Sequence, residues 1–284
     1  MRRVVYLTWA VVVLCFLWLL PSTATFSQSG VGKAVGASEK HSPLVGWLSR
    51  RVEERRRSRR IKLYAEIYRF VAEHCESVWS GTTRRGFVAL DSKRPQTVQE
   101  HRLRLRWIFI EEAFREGLSL SEIMEGVCGA DVHETDEAAS GKDKARLPLP
   151  SHRSRRARFV IGWWPDHPWI PQPGGLSEEW VASYRAGRSE VVKFLAKKRV
   201  RKDVAQAILR YIDNFHLGMS RVWVLLRDCH YLELVREGIR EKVPARHFAL
   251  DAVTNIVYPS IRLKVLQEYG EAVKRGEQEP LEIT

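Results

Sequence analysis

The sequence predicts a mainly α protein: an N-terminal transmembrane helix, then a helical soluble body in two parts with an extended Trp/Pro-rich connector. Three observations predict it. Val4 to Leu20 are seventeen residues without a charge, preceded by Arg2 and Arg3. Apolar residues recur at spacings of three and four through much of 43–128 and 177–269, which is the helical period. Four prolines fall between Trp163 and Pro173, where they preclude a regular helix and leave extended chain.

Residues 1–24 read as a signal-anchor or transmembrane segment. A spanning helix needs about 20 apolar residues and a cleavable signal has a core of about 7–15; the seventeen here lie between. Trp18 suits an interfacial anchor, whereas Pro21-Ser22-Thr23-Ala24 offers the small residues required for cleavage after Ala24. Arg2 and Arg3 face only Lys33 and Lys40 on the far side of the segment. By the positive-inside bias the N-terminus stays cytoplasmic and the body lies on the non-cytoplasmic side. Residues 25–42, rich in Gly, Ser and Ala, read as a flexible tether.

Residues 43–128 form the first helical domain, with a basic juxtamembrane helix. Its apolar stripe disappears between Val52 and Ile61, so that stretch is either a solvent-exposed strut or a break between two helices. Thr97 with Glu100 and Ser119 with Glu122 are capping-box signatures that open two further helices, and Gly117 closes the first of these. Residues 129–158 are acidic, then rich in Gly, Lys, Pro and Arg; too little apolar surface is available there to offset ordering, so the expectation is a disordered charged linker. Residues 159–284 comprise the Trp/Pro-rich ribbon and a second helical domain. In that domain a helix ends near Gly218, another spans Ser220 to Gly238, and a final pair is divided at Pro259. Arg221 and Arg227 keep the apolar run between them from reading as a second membrane span.

The net charge of +13 is concentrated. Residues 31–62 carry ten positive and three negative charges, and 146–158 carry five positive and no negative. The rest is close to neutral, which argues against a nucleic-acid groove. Arg50, Arg51, Arg55, Arg56, Arg57, Arg59 and Arg60 form one arm suited to an anionic surface, and Arg153, Arg155, Arg156 and Arg158 form another.

Chemistry is sparse. Cys75, Cys128 and Cys229 follow Cys15 without a C-x-x-C, which excludes thioredoxin-type sites and zinc ribbons; one disulfide is possible but the spacing selects no pair. His74-Cys75 and Cys229-His230 offer four ligands, yet adjacent residues on a helix point in different directions, so no metal and no cofactor are expected. Glu111-Glu112 could present a carboxylate to a polysaccharide, and Asp166-His167 is the best acid–base pair in the chain. Charged surface and loop solvation explain both more simply. His216, His230 and His247 share no spacing and read as boundary or core histidines.

The expected function is therefore that of a single-pass membrane-anchored helical protein. It would serve as a structural or docking component of a membrane-associated multiprotein assembly of the secretion or transfer type. Its partners would be other membrane or envelope proteins, with the lipid bilayer engaged through residues 4–20. Trp163, Trp164 and Trp169 are the candidate partner-binding platform, because aromatic clusters favour binding surfaces. Two alternatives carry different chemistry: a secreted or envelope enzyme, a polysaccharide hydrolase released by signal cleavage, and a cytoplasmic-facing basic protein that binds anionic lipid or nucleic acid.

Overall fold

The computed structural model describes residues 43–83, 93–94, 96–140, 163–164, 167–171, 178–244, 252–253 and 255–280. The apolar segment, the tether and the second arginine arm lie outside them. Among the described residues no helix is long and apolar enough to cross a membrane. The chain divides into two compact units, Met1–Arg51 and Val52–Thr284. In the first, the described residues open helix α1 (Pro43–His74), with Trp47 and Leu48 exposed and the Arg51 guanidinium 4.6 Å from the Trp47 ring centroid.

The second unit is built from helices. α1 is continuous through the arginine-rich stretch, which is exposed and so takes the strut alternative. After it come α2 (Glu76–Trp79), α3 (Val98–Arg115), α4 (Leu120–Val132) and α5 (Thr135–Ser140). Both capping boxes form as expected: the Thr97 and Ser119 hydroxyls accept from the backbone N–H of Glu100 and Glu122, whose carboxylates bond back to the capping residues. Gly117 ends α3 with φ +65°, a conformation that costs a side-chain-bearing residue more than glycine.

A short antiparallel ribbon follows, β1 (Trp163–Trp164) with β2 (His167–Pro171), pairing Trp163 with Pro171 and Trp164 with His167. α6 (Glu178–Lys197), α7 (Lys202–Leu217), α8 (Arg221–Arg240) and α9 (Pro259–Lys274) complete the order. α6 runs unbroken through Gly187-Arg188-Ser189, and Pro259 opens α9 at its first turn, where a missing N–H costs nothing.

α8 is the central element. Val222 through Leu226 and Cys229 through Val235 are buried almost without interruption, and the helix packs against α3, α4, α7 and α9. Fully burying one such leucine or valine is worth about 1.5–3 kcal/mol. Two features of this packing differ from the sequence reading. Gly129 to Ser140, expected to begin a linker, are helical and mostly buried. Helices on both sides of 141–158 also share one core instead of forming two bodies. The reason lies in a small residue: a Cβ on Gly129 would come within 2.4 Å of the Trp223 ring, so the glycine that suggests a loop is the point where α8 closes on α4.

Candidate metal centre

α3 carries His101 on the face it turns into the core, and the residue is fully buried. His133 is the C-cap of α4, 3 % exposed; Glu134 follows it, before α5 begins. His230 lies on the buried stretch of α8, 4 % exposed. One ligand atom from each of these four residues falls within 4.8 Å of all the others. The Nε2 atoms of His101 and His133 are 3.3 Å apart. Glu134 Oε1 lies 3.4 Å from His133 Nε2 and 3.8 Å from His101 Nε2.

The outer partners fix which nitrogens face inward. His133 Nδ1 lies 2.8 Å from the Ala130 carbonyl oxygen, an acceptor only, so Nδ1 carries the proton and donates. His101 Nδ1 lies 2.6 Å from Glu233 Oε2 and donates to that carboxylate. The amide nitrogen of Gln96 donates to the other Glu233 oxygen at 2.7 Å. In their neutral forms both rings therefore direct an unprotonated Nε2 at the same point, beside the Glu134 carboxylate. Three such atoms converging in a buried site repel one another unless a proton on one ring, which makes the Nε2···Nε2 contact a hydrogen bond, or a metal cation lies among them. Orienting a histidine through a carboxylate or carbonyl on its second nitrogen is the usual support of a metal ligand.

The surroundings hold this geometry. The Trp79 indole N–H donates to the Glu134 carbonyl at 3.2 Å. Arg102, next to His101, is itself buried and reaches Asp131 at 2.9 Å and Glu76 at 3.0 Å, with its guanidinium 5.4 Å from the Trp79 ring. Adjacent residues of α3 thus engage both the last turn of α4 and the residues after it. Burial, reinforced by the Asp131 charge, holds the Tyr64 hydroxyl well above its ordinary range. The Phe215 ring of α7 stacks 4.6 Å from His133 and lies 5.7 Å from His230, closing the apolar side.

The residues singled out from the sequence lie elsewhere. Arg55, Arg56, Arg57 and Arg59 are exposed along α1, and Arg60 donates to the Ser121 hydroxyl. Arg50 and Arg51 are exposed in the first unit. Trp163, Trp164 and Trp169 belong to the ribbon; Arg153, Arg155, Arg156, Arg158, Asp166 and His247 lie outside the described residues. Glu111 is held by Arg115, while Glu112 is buried and bound by Arg115 and Lys264. That paired state does not suit the role of a free acid. Cys75, Cys128 and Cys229 are free and buried, and burial pushes the Cys75 thiol up to about 12, so it is unreactive at neutral pH.

The convergence of these four residues has no counterpart in the sequence reading, which expected no metal. His101 and the His133-Glu134 pair went unmarked in the sequence, and His230 read as core after its pairing with Cys229 was set aside, because the four residues come from three distant segments that share no spacing motif. The signal available was an adjacent His-Glu pair inside the expected linker, too common to select alone. Comparison with protein-family models, curated proteins and solved structures returns no match.

Proposed function

We propose that this protein is a metalloprotein whose helical body holds a single divalent transition-metal ion among His101, His133, Glu134 and His230. The observation that carries the reading is the 3.3 Å approach of two Nε2 atoms whose outer nitrogens are both committed as donors. That separation matches the edge of a tetrahedron with metal–nitrogen bonds of about 2.0–2.1 Å, the zinc value. Imidazole and carboxylate donors also suit zinc better than calcium or magnesium. Full-length protein purified under zinc-replete conditions should carry one zinc per chain by elemental analysis, and His101→Ala and His133→Ala should each carry almost none. A metal-free protein that takes up no zinc on titration would refute the reading.

A second reading is favoured by a separate observation. On α3, opposite the buried face, Leu103, Trp107 and Phe114 are exposed and Ile110 is partly buried between them. Apolar stripes of this kind mark interaction surfaces. The stripe supports the docking role in a membrane-associated assembly, with the chain anchored through residues 4–20, its N-terminus cytoplasmic and its body across the membrane. Trp107→Ser with Phe114→Ser should then release the full chain from partners that co-purify in detergent; unchanged co-purification would count against the stripe.

A further inference from the structure

We infer that α3 is the seam of a homodimer: a second copy of this chain lays its own α3, antiparallel, along Leu103, Trp107, Ile110 and Phe114. This rests on the reading of that stripe as an interaction surface and names its occupant. Trp107 and Phe114 keep 58 % and 56 % of their surface in water, so the fold of one chain leaves both rings uncovered. The four positions follow one another by four, three and four residues, the alternation with which two helices pack along a common seam. Trp and Phe are also enriched where protein surfaces meet.

Charge selects a second copy as the occupant. Along one edge of the stripe lie Glu100, Arg104, Glu111 and Arg115, all exposed. The row alternates in sign, so its own reversal places a base opposite every acid. With two copies antiparallel, Glu100 faces the partner's Arg115 and Arg104 faces the partner's Glu111, and the two-fold axis repeats each pair. Such a patch is complementary to itself and closes at two chains. In a parallel arrangement this row would face the opposite edge of the stripe, where Gln99 carries no charge and Arg106 is already held by Asp131 and Tyr64.

The apolar layers agree with the same register. Trp107 then faces the partner's Ile110, and Leu103 faces the partner's Phe114, so every layer sets one aromatic ring against one aliphatic side chain. Large residues opposite smaller ones interdigitate, whereas a parallel pair would bring each ring against its own copy. Within one chain Glu111 and Arg115 bond each other and Glu100 serves the α3 capping box, while Arg104 forms no ion pair among the described residues. Exposed pairs exchange partners at little cost. A carboxylate accepts several bonds at once, so Glu100 can take the partner's Arg115 and keep the cap.

The test is sedimentation equilibrium of the full chain in density-matched detergent. The mass should rise from the 32.9 kDa of one chain toward twice that value as concentration increases a hundredfold. Arg104→Glu alone and Glu111→Arg alone should each stay monomeric over that range, with unchanged circular dichroism spectra. Combining the two exchanges the signs in both copies and should restore the dimer, a recovery that a mere folding defect could not show. A dimer indifferent to Arg104→Glu, or one that the combined exchange fails to restore, would overturn the antiparallel seam. A dimer that survives Trp107→Ser with Phe114→Ser would lie on another surface and overturn it too. Wild type that is monomeric throughout, while the serine variant still releases co-purifying proteins, would overturn the second copy as occupant and leave the stripe standing as a surface for a different partner. Monomeric wild type with co-purification unchanged in the serine variant would instead bring down the reading beneath.

Discussion

Two carboxylates respond to their surroundings in opposite directions. Glu122 completes the α4 capping box and also receives a two-pronged contact from Arg221 at 2.7 and 2.8 Å. Arg221, followed by the contacts from Ser119, lowers its pKa to about 2. A depressed carboxyl contributes stability above its ordinary pKa and loses it as pH falls toward the folded value. Glu122→Gln should cost about 1 kcal/mol at pH 7, and the difference from wild type should shrink between pH 4.5 and 2. Asp228 behaves oppositely. It accepts the backbone N–H groups of Val257 and Tyr258 at 2.9 and 2.6 Å, but burial outweighs them and raises it to about 7. The fold then binds this proton more tightly than the unfolded chain does, so its contribution declines as pH rises from the ordinary 3.8 through about 7. Asp228→Asn should flatten the stability profile across that window in urea titrations; an unchanged slope would assign the pH dependence to other groups.

Among the helices, the ends and the crossings are the sensitive points. α3 and α9 end on glycines of positive φ, Gly117 and Gly276, but α6 and α8 end on Arg199 and Lys242 at φ 52° and 55°. Each is followed by a closing bond, such as Val243 N–H to the Gly238 carbonyl at 2.9 Å. Because the left-handed region penalises a Cβ, Lys242→Gly should stabilise the protein by about 0.5–1 kcal/mol, measurable by thermal denaturation. At a crossing the sign reverses. A Cβ on Gly126 would meet the Phe109 ring at 2.0 Å, so Gly126→Ala should destabilise by about 1–3 kcal/mol. These positions show how far the sequence was legible. Capping boxes and helical periods are local, so α3, α7, α8 and the starts of α4 and α9 were readable. The end of α4 was not, because Gly129-Ala130-Asp131 has the composition of a loop and becomes helix only through contact with Trp223 and Arg102. The candidate metal-binding residues were hidden for the same reason: His101 is oriented by Glu233, 132 positions away, and neither residue signals the other locally.

Across the whole second unit, the centre joins α3, the end of α4 and α8, which come from both sides of residues 141–162. A bound ion would therefore link the earlier helices to the later ones at a point where His101 is already tied to the buried Glu233 carboxylate. An ion that binds the folded state alone stabilises it by about 2.7 kcal/mol when free metal is 100 times Kd. For a cooperative unit of this size, that corresponds to a rise in Tm of about 5–10 °C. Calorimetry of the full chain should show Tm rising with free zinc and falling on chelation, while His133→Ala stays insensitive to both. The binding should also weaken as pH falls and the imidazoles protonate, since metal and proton compete for the same nitrogens. Zinc that binds in stoichiometric amount without moving Tm would place the ion on the surface or on the unfolded chain, and would separate metal uptake from the buried histidines that are argued to hold it.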